Sequence, residues 1–275
     1  MTITKFISAL VLTTCLCSLS AVSVAHDFWL EPDKFNAETG QNLSILVKIG
    51  HPHDRILWPV NPHRVISLRS VGPHGLQDHQ SSLRKIKRSK ALPISYDKAG
   101  IYIMSIETTA ALSELPADQF NSYLDEEGLT PIKLDRLRRG ATQTSGTELY
   151  SRRGKAIIQI GEPSDVNPVH VTQPIGMTLE IVPMQNPATL QAGEKMTSKV
   201  YYRGEAVSGI SVGLVDLLGE DGVVATAISN NEGVVAFDRP VAGTWMQHAV
   251  WADAMEDTSR ADYDTVFSSL SFSIP

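Results

Sequence analysis

Apolar and polar positions alternate over short stretches along most of this chain, the signature of half-buried β-strands. Residues 42–49 predict a strand with Leu43, Ile45 and Val47 on one face, ended by Gly50 and followed by the rigid His51-Pro52-His53 turn. Residues 65–71 predict a second strand, closed by Gly72-Pro73. Residues 92–96 and 101–106 flank Asp97-Lys98-Ala99-Gly100, which predicts a hairpin inside an antiparallel sheet. The period then lengthens. Residues 116–124 predict a short helix, with Phe120 and Leu124 four apart and Gly128 as its stop. Residues 132–139 predict another, closed by Gly140, with a polar loop over 141–146 and a strand over 155–160.

The carboxy-terminal part is more regular. Strands are predicted over 177–182, 197–202, 211–217, 223–228, 234–237, 244–251 and 266–274, with Gly, Asn and Asp filling the turns. The expected fold is mainly β: two immunoglobulin-like or transthyretin-like β-sandwich domains, the first with a short helical insertion. The expected domains are residues 26–172 and 173–275, after a signal peptide over 1–25.

That first segment has one basic residue, Lys5, then an apolar run from Phe6 to Leu19, with Ser23 and Ala25 at the small-residue positions before a cleavage site. It is too short and too rich in small residues for a membrane span, and no later stretch reaches the roughly 20 apolar residues a span needs. The expectation is a periplasmic protein without stable membrane insertion. Both cysteines, Cys15 and Cys17, lie in the leader, so the processed chain offers no thiolate to a zinc or iron–sulfur site. The whole chain carries 24 basic and 30 acidic residues, and removing Lys5 leaves 23 against 30. An acidic balance of that size argues against a nucleic-acid partner. The one basic run, Arg84, Lys85, Lys87, Arg88 and Lys90, reads as an exposed loop or a protected sheet edge.

Cleavage after Ala25 makes His26 the first residue, where an α-amine and an imidazole sit together and can chelate a transition metal. The amine, with an ordinary pKa of about 7.7–8.0, is already partly deprotonated at neutral pH. Asp27 is placed to add an oxygen ligand or to orient His26 from behind, while Phe28, Trp29 and Leu30 read as core anchors. All eight histidines lie in the processed chain, and five fall between 51 and 79. A strand beginning at His26 and lying beside 42–49 would bring His26 near His51, with His53 two residues on. His248, between Trp245 and Trp251 on a predicted strand, reads first as a structural residue and faces away from Trp251. His63, His74, His79 and His170 are weaker candidates. The metal candidates are therefore His26, His51, His53, His248 and Asp27. Asp125, Glu126 and Glu127 read as a solvated helix end. No nucleophile elbow, phosphate-binding glycine loop or HExxH pattern is present, and no catalytic role is expected.

Several segments together carry a family resemblance. They are Ala25-His26-Asp27-Phe28-Trp29-Leu30, the Gly50-His51 step, residues 120–129, Tyr150-Ser151-Arg152, Leu179-Glu180-Ile181-Val182-Pro183, Asn186-Pro187, Asn231-Glu232-Gly233 and Ala242-Gly243-Thr244-Trp245. In these the chain resembles exported accessory proteins related to the periplasmic component of nickel/cobalt uptake systems. The resemblance implies binding or delivery of a divalent transition metal, nickel or cobalt, with an inner-membrane transporter or outer-membrane receptor as partner. Copper and zinc are the other ions the donors suit. His26 and His51 carry over most directly. The family often has a histidine near Trp251, where this chain has His248 three residues earlier. Two other classes compete: an oxidative copper enzyme built on an amino-terminal histidine, and a non-catalytic adhesion or ligand-binding module.

Overall fold

The computed structural model describes residues 27–50, 55–83, 91–219 and 222–275. The leader, His26, His51, His53 and the basic run 84–90 lie outside the described residues. In chain order the strands are β1 (Phe28–Pro32), β2 (Asn36–Ala37), β3 (Leu43–Ile49), β4 (Ile56–Leu57), β5 (Val65–Gly72), β6 (Gly75–Asp78), β7 (Ala91–Ile94), β8 (Gly100–Thr108) and β9 (Ala111–Leu115). They continue as β10 (Gly146–Ile160), β11 (Leu179–Pro183), β12 (Lys195–Tyr202), β13 (Glu205–Ala206), β14 (Ser211–Asp216), β15 (Val223–Ile228), β16 (Val234–Asp238), β17 (Gly243–Ala254) and β18 (Tyr263–Ile274). Three α-helices are described: α1 (Gln80–Leu83), α2 (Ala117–Glu126) and α3 (Thr130–Arg138). The fold is mainly β with sandwich-like packing, as the alternation predicts.

A ten-stranded sheet runs β15-β14-β17-β18-β10-β8-β5-β6, with β2 and β9 also paired to β10. Two smaller sheets pack on it, one of β1, β3, β4 and β7, the other of β11, β12, β13 and β16. Strand alternation sends successive side chains to opposite faces, and the large sheet uses both. On β8, Tyr102, Met104 and Ile106 join the cluster of Leu30, Ile45 and Val47, while Ile101 and Ile103 join Leu179, Ile181 and Val200 on the other face. β10 divides in the same way, with Ile158 on the first side and Ile157 on the second. The two small sheets therefore cover opposite faces of one shared sheet.

Residues from both sides of position 172 build that sheet. β10 pairs with β18 in parallel over Glu148–Ala156, and antiparallel with β8 at its far end. The expected hairpin across Asp97–Gly100 is not formed. β7 pairs with β3 in a small sheet and β8 with β5 in the large one, so the turn carries the chain from one layer to the next. The strand expected at 155 begins nine residues earlier, at Gly146. Its charged stretch is buried among partners rather than looped out: Lys155 Nζ bonds Glu180 at 2.8 Å, and Arg153 Nε lies 3.0 Å from Glu107.

β1 is buried on both sides. Phe28 and Leu30 face the first core, while Trp29 packs with Val215, Leu217 and Met246. Its backbone is also tied to the large sheet, since Ser269 Oγ donates to the Phe28 carbonyl at 2.7 Å and Ser271 Oγ to that of Leu30. The helical insertion packs on the same face, with Phe120, Tyr123 and Leu124 of α2 against Val250, Tyr263 and Phe267. Gly128 and Gly140, at φ +67° each, close α2 and α3 in the left-handed region, as expected.

Candidate functional site

β1 and β3 run antiparallel with Phe28 opposite Ile49, and the Gly50 amide donates to the Asp27 carbonyl at 3.0 Å. The described part of this ladder ends at Asp27 and Gly50, whose next residues along the chain are His26 and His51. The side-by-side arrangement of the two strands expected from sequence is present.

The Asp27 carboxylate turns toward β17, where its Oδ1 lies 2.9 Å from His248 Nδ1. Both side chains are largely covered, 10% and 15% exposed. β17 aims His248 at this spot by simple alternation. Trp245 and Ala249 fill the opposite core, and Trp251 packs there too, against Tyr202. His248 and Trp251 thus face opposite ways, as the strand reading predicts. The ring rests on Gly213, its cross-strand partner on β14. A Cβ at Gly213 would stand 2.0 Å from Nε2, so only a residue without a side chain leaves room for the imidazole.

Electrostatics follow from this burial. Desolvation pulls the His248 imidazole down, but the charge and hydrogen bond of Asp27, with the charge of Glu127, outweigh it and raise the pKa to about 9. Glu127, at the end of α2, is pushed up to about 8 by desolvation, against the attraction of His248 and with repulsion from Asp27, Glu126 and Glu148. Sequence reading placed Glu127 in a solvated cap; the fold instead sets this half-buried residue within the electrostatic reach of His248. Three acids before a glycine hold no signal that could separate the two cases. Beneath lies Glu148 on β10, which accepts a hydrogen bond from Tyr123 Oη at 3.2 Å. Desolvation raises its carboxyl, opposed by the nearby Thr265 hydroxyl, by the Tyr123 hydrogen bond and by the charge of Arg152.

A pocket of about 260 Å³ opens beside the ring, lined by Glu127, Gly128, Ser211, Gly213, Thr226 and His248 among others. The structure therefore brings together Asp27 and His248, and adds Glu127. His26, His51 and His53 lie outside the described residues, and among the described residues no group of three or more metal-ligating side chains converges. The weaker histidines lie elsewhere: His79 Nε2 is 2.8 Å from Ser70 Oγ, His170 Nε2 is 2.8 Å from the Ile101 carbonyl, and His63 and His74 are exposed. Aspartate oxygen and imidazole nitrogen are both donor types that a borderline divalent ion accepts.

Residues 23–253 match the family described as a domain of unknown function, DUF4198, and the chain belongs to that family. No curated protein matches the chain. Among solved structures, it is similar to the D0-D1 domain of Intimin, at 12% identity and a TM-score of 0.21, over 90% of this chain and 97% of that one. It is also similar to the three N-terminal domains of the bacteriophage RB49 highly immunogenic outer capsid protein, at 12% identity and a TM-score of 0.20, over 90% and 59%. Among the described residues, no helix is long and apolar enough to cross a membrane.

Proposed function

We propose that the protein is exported, cut after Ala25, and binds a divalent transition metal in the periplasm for delivery to an uptake system. Nickel or cobalt is the ion proposed, and an inner-membrane transporter or outer-membrane receptor is the partner. The observation that carries this reading is the Asp27–Gly50 hydrogen bond, the last described rung of the β1–β3 ladder, with His26 and His51 next along the chain. An α-amine and imidazole at His26, with the imidazole of His51, supply three nitrogen donors of the kind nickel and cobalt favour. His53, two residues on, is the next candidate donor. Asp27 and His248 stand at the same end of the ladder. No bond is cleaved and no electron moves in this role.

The test is nickel titration of the full chain after export and processing at its own leader. His26→Ala removes stoichiometric binding without lowering the melting midpoint of the metal-free protein. A chain that keeps one extra residue before His26 also loses it, because the amine is displaced. An unchanged isotherm for both refutes the reading.

A further inference from the structure

A pocket of about 400 Å³ opens over the β5–β6 side of the large sheet, lined by Ile66, Ser67, Arg69, Asp78, Gln80 and Glu107 among others. Its size falls within the roughly 300–1,000 Å³ of small-molecule sites. Strand register assembles it: Ser67 stands opposite Glu107 of β8, and Arg69 opposite Asp78 of β6. The β5–β8 register shifts between Val65 and Ser67, an irregularity that lets Ile66 line the pocket beside Ser67. Gln80 enters from the start of α1, its Nε2 donating to the Val65 carbonyl at 2.9 Å. The charges are matched within the fold. Arg69 Nη2 lies 3.0 Å from Glu107 Oε1, and Arg153 Nε lies 3.0 Å from Glu107 Oε2. With Asp78 added, two guanidinium groups balance two carboxylates, so the pocket favours neither an anion nor a cation. Three buried atoms are left over: Arg69 Nε, Ser67 Oγ and Gln80 Oε1 have no hydrogen-bond partner in the protein. One is a donor, one an acceptor and one is both. Buried polar groups are rarely left unpaired, and three on residues of one pocket point to bonding completed from outside the chain.

We propose that this pocket binds a neutral polyhydroxyl compound of monosaccharide size, whose hydroxyls accept from Arg69 Nε and Ser67 Oγ and donate to Gln80 Oε1. A hydroxyl both donates and accepts, so adjacent hydroxyls on a sugar ring match a guanidinium, a hydroxyl and an amide oxygen that line one pocket. Glu107, 9% exposed, holds the Arg69 guanidinium in place before the ligand arrives, which lowers the ordering cost of binding. Ile66, 56% exposed, offers an apolar contact to the C–H groups of the ring. None of these residues is a metal candidate, so the assignment stands apart from the metal reading.

The test titrates the full chain with D-glucose, D-galactose, D-mannose and N-acetyl-D-glucosamine in turn, read by calorimetry and at the arginine Nε–H resonances in NMR. Arg69→Lys keeps a cation for Glu107 but has no Nε–H, so its spectrum assigns the Arg69 signal. At least one of the sugars binds saturably and moves that signal. Ser67→Ala weakens this binding about 2–10-fold and Arg69→Lys about 10–100-fold. The melting midpoint of Ser67→Ala does not fall, because the lost hydroxyl had no partner in the protein. If Arg69→Lys fails to fold, calorimetry with Ser67→Ala decides alone. A methyl glycoside of the active sugar that binds equally well identifies the end of a glycan, and one that does not identifies the free sugar. A pocket filled by water alone gives no response to any of the sugars, and that result overturns the proposal. Wild-type affinity in Ser67→Ala overturns it too, as does tighter binding of sodium acetate, calcium chloride or acetamide, which makes the ligand an anion, a cation or an amide.

Discussion

Glu148 shows what a single buried carboxyl does to the pH response of the whole protein. Burial raises it above its ordinary value of 4.5, so between that value and its folded-state value the native chain holds a proton that the unfolded chain has released. Its contribution to stability is full below 4.5 and is lost as pH rises through the raised value. Glu148→Gln keeps an acceptor for the Tyr123 hydroxyl and removes the titration. Urea unfolding at a series of pH values above 4.5 then shows a slope shallower by up to about 1.4 kcal/mol per pH unit; identical slopes would contradict the burial argument. Lys155 and Glu180 test a different cost. Burial lowers the lysine, Glu180 offsets this, and that carboxylate also accepts the amides of Ile175, Gly176 and Met177. Glu180→Ala leaves an ammonium buried without its counter-charge and destabilises by roughly 3–5 kcal/mol in chemical denaturation. A loss under about 1 kcal/mol would mean that water reaches the site.

At the scale of elements, α2 is held to the large sheet by Phe120, Tyr123 and Leu124, of which Phe120 offers the clearest test. Phe120 is 1% exposed, its ring centroid lies 5.7 Å from that of Tyr263 in a stacked pair, and the Arg136 guanidinium lies 4.8 Å from its centroid. Phe120→Ala costs about 3–5 kcal/mol by cavity formation and frees the α2–α3 insertion, seen as faster amide exchange there than in β8. Uniform exchange across both would reject that anchoring. This insertion was legible in sequence because Phe120 and Leu124 mark one helix face and Gly128 and Gly140 mark the ends. The β7–β8 hairpin was misread for a physical reason: a turn of Asp97-Lys98-Ala99-Gly100 suits strands that pair edge to edge and strands that face one another across a core. Leu92, Ile94, Tyr102 and Met104 meet in the second manner. The early part of β10 was missed because Glu148, Arg152 and Arg153 look solvated until their partners are known. Asp27 and the β1–β3 pairing were readable from local pattern. The closeness of His248 and Glu127 was not, since it depends on which strands the large sheet places side by side.

At the scale of the whole molecule, the parallel β10–β18 ladder decides how far either half can stand alone. A fragment ending at residue 172 leaves β10 bare along Glu148–Ala156, a long unpaired edge of the kind that recruits other chains. Such a fragment aggregates in light scattering under conditions where the full chain stays dispersed, and the full chain melts in one calorimetric transition; two separate transitions and a well-behaved fragment would show independent halves. β18 is the last strand of the described chain, and 115 positions separate Glu148 from its partner Tyr263. Long-range parallel pairing forms slowly, and until it forms the centre of the sheet stays open. Synthesis order therefore works against this fold: ribosomes deliver the keystone strand after everything it must lock, so a nascent chain needs shielding until β18 emerges.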